Sequence, residues 1–258
     1  MNEEKLIKYY NKFNEDKRLT TKHGMIEFKT SMKYILEYLN KIDNPKIIDI
    51  GAGTGRYSLA LDKLGYDVSA IELVKHNLKV LESKNSNVKT YLGNAIDLSK
   101  FKDNSFDLVI LFGPMYHLIN IEDKIKALNE AKRIVKKSGY IFISYCMNEY
   151  AIITHGFIEN EIINSFKENK IDSNFHVIST EEDLYSYVRM EDIDYLKKKC
   201  NLKRNKILSQ DGPTEYLKKV LNQMNDQELD LFYKYHLSTC ENKYLLGAGR
   251  HILDILQK

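Results

Sequence analysis

The chain has 258 residues, and 43% of them are hydrophobic, which is enough to bury the core of one α/β domain with additions. Its 39 basic and 36 acidic side chains leave a net charge of +3. This small difference, carried mostly by lysine rather than arginine, argues against a nucleic-acid-binding surface. The abundance of lysine, asparagine and isoleucine is typical of an AT-rich bacterial genome.

The cysteines and the lengths of the apolar runs indicate in which cellular compartment the protein is expected. Cys146, Cys200 and Cys240 are odd in number and far apart, so we expect neither a disulfide framework nor a metal site, and a reducing cytoplasm fits. The first residues lack the apolar stretch of a signal peptide, and no run of 18 apolar residues occurs. We therefore expect a cytoplasmic protein with no membrane span.

Residues 1–44 are predicted to form an N-terminal helical segment. Apolar and aromatic residues repeat at helical spacing over Leu6–Phe13 and Met25–Leu39, with a break around Arg18–Gly24. Successive helical residues lie about 100° apart, so the adjacent Tyr9 and Tyr10 cannot both face one core. Packing of an amphipathic helix explains one of them, and the other is expected to point elsewhere, towards a ligand.

From residue 45 onwards, strands alternate with helices. The predicted strands are Lys46–Ile50, Asp67–Ile71, Val88–Leu92, Phe106–Phe112, Tyr140–Tyr145, Lys203–Leu208 and Arg250–Leu256; the first helices are about Arg56–Leu64, Lys75–Lys84 and Glu122–Val135. This order predicts an α/β fold with a doubly wound, seven-stranded, mainly parallel, Rossmann-like sheet.

Two insertions, at about 147–182 and 211–247, are expected to cap the carboxyl edge of the sheet together with the N-terminal segment. An inserted helix within 147–170, short strands at Phe175–Ser179 and Leu184–Met190, and helices at Glu191–Cys200, Pro213–Lys219 and Asp226–Thr239 complete the prediction. The spacing of Tyr233 and His236 indicates helix packing, and Gly247–Gly249 is interpreted as a loop.

The first strand leads into glycines at every second position. Asp49 precedes Gly51, Gly53 and Gly55, and a helix follows. A strand, a glycine turn and a helix start expose backbone N–H groups to a ligand, and a Cβ would block its approach. The dinucleotide fingerprint requires a glycine where Arg56 stands, and no phosphate-binding P-loop is present.

The remaining motif, D-x-G-x-G-x-G, resembles motif I of class I S-adenosylmethionine (SAM)-dependent methyltransferases. The resemblance covers residues 45–146 well and residues 190–258 by pattern. The run Gly113-Pro-Met-Tyr-His-Leu118 is similar to that of UbiE-like small-molecule methyltransferases. The resemblance implies SAM as cofactor, S-adenosylhomocysteine as product and a last strand antiparallel to its neighbour.

The resemblance also assigns roles to residues at the strand ends. Glu72 lies 21 residues after Gly51, where a carboxylate can accept the ribose hydroxyls. Asn94 stands where the family more often has Asp, and its amide oxygen can accept a hydrogen bond from the adenine amine. The implied cofactor-binding residues are Tyr10, Asp49, Gly51, Ala52, Gly53, Gly55, Tyr57, Glu72, Leu73, Asn94, Ala95, Ile96, Leu111 and Phe112.

The loop after the fourth strand provides the candidate catalytic residues. An imidazole ordinarily titrates near neutrality, so His117 is the candidate general base, and Tyr116 is expected to line the pocket. A histidine that only caps the loop is the alternative, since alignment of the reactants can drive methyl transfer without a strong base. The loop lacks the Asn/Asp-Pro-Pro-Tyr/Phe motif of amino-methyltransferases, and Cys146 lies on another strand, so methylation of DNA bases is disfavoured.

The sequence thus predicts methyl transfer from SAM to an O, N, S or C nucleophile of a small molecule. An RNA or protein acceptor, a non-catalytic SAM-binding protein and an NAD-linked oxidoreductase remain as alternatives. We expect no metal, no nucleic-acid or membrane partner, and a monomer or homodimer.

Overall fold

The computed structural model describes residues 3–11 and 20–258. The helices are α1 (Glu3–Tyr10), α2 (Lys22–Leu39), α3 (Arg56–Lys63), α4 (Lys75–Glu82), α5 (Ile121–Ile134), α6 (Asn148–Ala151), α7 (Ile162–Lys167), α8 (Met190–Lys199), α9 (Lys218–Gln223) and α10 (Asp226–Thr239). The strands are β1 (Lys46–Ile50), β2 (Asp67–Glu72), β3 (Lys89–Leu92), β4 (Phe106–Leu111), β5 (Val135–Cys146), β6 (Lys203–Ser209) and β7 (His251–Gln257). Phe13 and the first two residues of the predicted break at 18–24 lie outside the described residues, and α2 begins at Lys22, within that predicted break.

The strands form one seven-stranded sheet in the order β3-β2-β1-β4-β5-β7-β6. The first five pair in parallel, and β7 runs antiparallel to both β5 and β6. The predicted mainly parallel sheet is therefore confirmed, and so is the antiparallel last strand. Among the described residues, no helix combines the length and apolar character needed to cross a membrane.

Successive side chains of the central strands point to opposite faces of the sheet, as strand geometry requires. Ile48 and Val109 belong to a buried cluster that includes residues of α5 and α8. Ile47 and Leu108 belong to a second cluster with residues of α2 and α3. Helices thus cover both faces, which explains why these strands are apolar runs without polar alternation.

Several predicted boundaries and elements are wrong. β4 ends at Leu111, one residue early, and β5 begins at Val135 rather than Tyr140. The predicted strands at 175–179 and 184–190 are absent because neither segment joins the sheet: each forms only an isolated bridge, Ile171 with Val177 and Met147 with Val188.

The insertions are also less regular than predicted. The inserted helix is divided into α6, a π-helix at Ile152–Ile158 and α7, and Asn160 takes a left-handed φ of 60° between the last two. The helix expected at Pro213–Lys219 consists of turns followed by α9.

Candidate active site

A cavity lies at the carboxyl ends of β1 to β4, next to the point where the strand order reverses between β1 and β4. Open α/β sheets bind their ligands at such switch points. Thirteen of the sixteen predicted site residues line it, namely Tyr10, Asp49, Gly51, Ala52, Gly53, Tyr57, Glu72, Leu73, Asn94, Ala95, Phe112, Tyr116 and His117.

The glycine loop after β1 has a shape that other residues do not adopt easily. Gly51, Gly53 and Gly55 have left-handed φ angles of 73°, 57° and 88°. A Cβ on Gly51 would lie 2.7 Å from the Cδ of Pro114, so any side chain at this position would collide with the proline ring after β4. The cavity is therefore bordered by glycine backbone on the β1 side.

Glu72 joins the glycine loop to the segment after β2. Its Oε2 accepts a hydrogen bond from the Gly53 N–H and its Oε1 accepts one from the Val74 N–H, each at 2.8 Å. Although it is acidic, the residue is only 6% exposed. Each carboxylate oxygen has a second lone pair, so this fixed carboxylate can also accept hydrogen bonds from ligand hydroxyls.

Asp49 is the second buried acid of the cavity. The Ser58 hydroxyl at the start of α3 donates a hydrogen bond to its Oδ2 at 2.6 Å. Burial raises the pKa of the Asp49 carboxyl to about 6, and the hydrogen bonds from Ser58 oppose that rise. The Asp49 carboxyl therefore keeps its proton to a higher pH than an exposed aspartate does.

Asn94 begins the segment after β3. Its side-chain Oδ1 accepts a hydrogen bond from the Ile96 N–H at 3.2 Å, so the amide is held against its own loop. A carbonyl oxygen has a second lone pair that can accept from an adenine amine.

His117 connects the loop after β4 to α1 and to the second half of the chain. Its Nδ1 lies 2.8 Å from the Leu184 carbonyl oxygen and its Nε2 lies 2.8 Å from the Tyr10 hydroxyl. Because a carbonyl oxygen only accepts, Nδ1 carries the proton of the neutral ring, and Nε2 accepts from Tyr10. The basic nitrogen of His117 thus faces the N-terminal helix at the cavity wall.

Three predicted cofactor residues do not line the cavity. The α-carbon of Gly55 faces Leu81 of α4, where a Cβ would lie 2.2 Å from Cδ1. Leu111 is fully buried in the sheet, and Ile96 packs against the core. Gly55 thus serves helix packing, and the other two serve the core.

Sequence reasoning missed eight lining residues, namely Leu6, Arg56, Val74, Asn77, Gly93, Gly113, Pro114 and Leu118. Most are direct neighbours of predicted residues, so extending each motif by one position would have found them. Asn77 is different: it is 2% exposed on α4, and nothing in its local sequence signals a polar group that faces a cavity.

A family model described as a methyltransferase domain matches residues 48–143. The matched stretch runs from β1 into β5 and contains the glycine loop, Glu72 and His117. The chain carries a methyltransferase domain. This methyltransferase domain is the part of the chain that forms the cavity, apart from the contribution of α1.

Individual relatives match the same part of the chain. A demethylmenaquinone methyltransferase from Renibacterium salmoninarum is 31% identical over 113 residues, which is 43% of this chain and 46% of that protein. Ribosomal RNA small subunit methyltransferase A from Wigglesworthia glossinidia brevipalpis is 28% identical over 118 residues, 43% of this chain and 45% of that protein. The chain spans slightly less than half the length of these curated relatives.

The fold of the methyltransferase domain and its additions is shared more widely. A SAM-dependent methyltransferase structure from Methanosarcina mazei superposes with a TM-score of 0.58, covering 87% of this chain and 96% of that one, at 16% identity. At that identity, the likeness concerns the fold.

Proposed function

We propose that the protein binds SAM in this cavity and transfers its methyl group to a nucleophilic O, N, S or C atom of a small molecule. The observation that carries the proposal is the position of Glu72. Two backbone N–H groups hold its carboxylate at the end of β2, beside the glycine loop. There it can accept hydrogen bonds from both ribose hydroxyls of SAM.

The rest of the cavity fits the other parts of the cofactor. Asn94 and Ala95 border the cavity where the resemblance expects the adenine, and the backbone of the glycine loop is open to the amino-acid portion. SAM supplies an electrophilic methyl group on a sulfonium. The residues of the chain contribute binding, alignment of the acceptor and exclusion of water.

His117 is the residue that we propose to receive the acceptor's proton. When the new bond to the methyl carbon forms and the bond from carbon to sulfur breaks, the acceptor loses a proton, which Nε2 of His117 can take. Tyr10 now donates to that nitrogen, so its hydroxyl must either move aside or pass the proton on. A neutral ring with its proton on Nδ1 is the form that can act as a base.

A small-molecule acceptor is supported by the covering of the cavity. Leu6 and Tyr10 of α1 form part of its wall, so the helix closes a side that a large acceptor would need open. One of the relatives is named for a quinone substrate. Another is named for ribosomal RNA, so an RNA acceptor is the second candidate.

The test of cofactor binding is calorimetric titration with SAM, S-adenosylhomocysteine and NAD. We expect the wild type to bind both sulfur ligands and Glu72→Gln to bind them at least about 10-fold more weakly. In glutamine an NH₂ group replaces one of the two carboxylate oxygens, so the hydrogen bond from the N–H of either Gly53 or Val74 is lost. Glu122→Gln, an exposed acid in the first turn of α5, is the matched control and should bind like the wild type. Tight NAD binding without SAM binding would refute the proposal.

The acceptor class needs a second experiment. The protein is incubated with methyl-labelled SAM and a bacterial extract that is then separated into small-molecule, RNA and protein fractions. We expect label in the small-molecule fraction, and less of it with His117→Asn. Label in RNA instead would favour the second candidate, and SAM binding without any transfer would favour a non-catalytic protein.

A further inference from the structure

Three acidic and basic side chains converge outside the cofactor cavity. Glu27 on α2, Asp211 after β6 and His251 at the start of β7 are all buried, and one potential ligand atom from each lies within 4.8 Å of the others. His251 Nδ1 lies 2.7 Å from Asp211 Oδ2 and 3.6 Å from Glu27 Oε2. One nitrogen and two carboxylate oxygens thus face the same point.

The topology of the sheet creates this convergence. In the ladder between β6 and β7, Ser209 is opposite Ile252, so the chain leaving β6 carries Asp211 past His251. On the other side, His251 is opposite Cys146 at the end of β5. The three side chains therefore lie at the carboxyl edge of the parallel strands, the same edge that carries the cofactor cavity.

The surrounding backbone fixes the Asp211 carboxylate. Its Oδ1 accepts hydrogen bonds from the backbone N–H groups of Arg250 and His251, each at 3.1 Å, while Oδ2 points to the His251 ring. A Cβ on Gly249 would lie 2.9 Å from Asp211 Oδ1, so the glycine lets the chain close over the carboxylate. Metal-binding carboxylates are oriented in this way by a second layer of hydrogen bonds.

A positive side chain, that of Arg250, lies next to the cluster. Arg250 Nη1 lies 3.4 Å from Glu215, and its guanidinium lies over the Tyr150 ring. Burying two carboxylates is costly unless a cation compensates them. A proton on His251 can supply one positive charge, whereas a divalent ion would supply two.

We propose that Glu27, Asp211 and His251 bind a first-row divalent metal ion, Zn²⁺ or Mn²⁺. An imidazole nitrogen with two carboxylate oxygens suits such ions better than Mg²⁺ or Ca²⁺, which prefer oxygen alone. Bonds to the ion of about 2.0–2.2 Å require the ligand atoms to be about 3 Å or more apart, so Asp211 and His251 need to separate by a few tenths of an ångström.

The site lies close to the proposed chemistry. The ring of Tyr116, which lines the cofactor cavity, is 6.0 Å from the ring of His251 and 4.8 Å from that of His117. Three protein ligands leave coordination positions open for water or for a polar atom of the acceptor. This last role rests on the proposed methyl transfer, but binding of the ion does not.

The test uses the full-length protein after treatment with EDTA and dialysis. Titration calorimetry with ZnCl₂ and, separately, MnCl₂ should give one binding site for at least one of the two ions. Glu27→Gln and His251→Gln should each weaken that binding at least 10-fold. His155→Gln is the matched control, since His155 and Glu159 form a similar pair in the open, with side chains 49% and 53% exposed, and it should change the affinity less than 2-fold.

Folding of each variant is checked by its thermal midpoint and by SAM binding, so loss of metal binding is distinguishable from failure of the proposed function. If His251→Gln does not fold, Glu27→Gln and the metal-dependent rise in the wild-type thermal midpoint decide the matter. No stoichiometric binding of either ion to the wild type would overturn the proposal. Equal binding by wild type and Glu27→Gln would also overturn it and would leave His251 as a hydrogen-bonding partner of Asp211.

Discussion

At the scale of single residues, the two buried acids of the cofactor cavity differ in what surrounds them. Glu72 receives hydrogen bonds from two backbone N–H groups, whereas Asp49 receives one from the Ser58 hydroxyl and has a pKa raised to about 6 by burial. Glu72 is therefore fixed as an acceptor, and Asp49 carries a cost when it is ionised.

The cost at Asp49 predicts how stability depends on pH. A carboxyl whose pKa rises from 3.8 to about 6 on folding binds more protons in the folded state, so its contribution to stability falls as pH rises from about 4 to 6. The fall is at most about 3 kcal/mol. Denaturant unfolding without cofactor should therefore show Asp49→Asn losing less stability than the wild type over this interval.

The control for Asp49 is Asp43→Asn, an exposed acid before β1. Its unfolding free energy should run parallel to that of the wild type from pH 4 to 7. A parallel curve for Asp49→Asn as well would show that the carboxyl does not titrate as described.

At the scale of elements, helix α3 lies between two left-handed glycines in different surroundings. Gly55 at its start and Gly65 after its end have nearly equal φ angles of 88° and 89°. A Cβ on Gly55 would lie 2.2 Å from Leu81 Cδ1, whereas a Cβ on Gly65 meets nothing within 4 Å. The first glycine thus allows α3 and α4 to pack, and the second only reverses the chain.

This difference predicts unequal effects of alanine. Gly65→Ala should lower the unfolding free energy by about 1–2 kcal/mol, the cost of a left-handed L-residue. Gly55→Ala should cost about 1–3 kcal/mol more because it also overpacks Leu81. Denaturant unfolding measures both, and in a Leu81→Ala background the cost of Gly55→Ala should approach that of Gly65→Ala. Equal costs in the wild-type background would show that α4 yields without resistance.

At the scale of the whole molecule, the N-terminal helix and the sheet are joined through the cavity. Helix α1 contributes Leu6 and Tyr10 to the cavity wall, and Lys5 contacts the carbonyl oxygen of Glu182. Helix α2, in contrast, is part of the core: Tyr34 and Ile35 are 2% and 0% exposed against the sheet. The two helices of residues 1–44 therefore differ in what their removal should affect.

Removal of residues 1–20 leaves α2 with its N-cap, Thr21, whose side chain accepts from the Gly24 N–H. We expect the truncated protein to keep its fold but to bind SAM about 10-fold more weakly, about 1.4 kcal/mol, mainly through faster dissociation. Stopped-flow release of the cofactor measures this. Tyr10→Phe, which keeps the ring and loses the bond to His117, should have a smaller effect, and unchanged release from the truncated protein would show that α1 does not cover the cofactor.

Local sequence by itself determined most of the strands, the glycine loop and the acid at the end of β2, because each depends on neighbours within a few residues. β1 matches its predicted bounds for that reason. The strands predicted at 175–179 and 184–190 failed because alternation of side chains does not reveal whether an edge is available for pairing.

Only the tertiary structure decided which distant residues meet. Tyr10 reaches His117 across 107 positions, and Glu27 reaches His251 across 224. No sequence pattern connects such pairs, because their approach follows from the strand order and from the packing of α1 and α2. The same holds for Gly55, whose role depends on the facing side chain of α4 rather than on the motif that contains it.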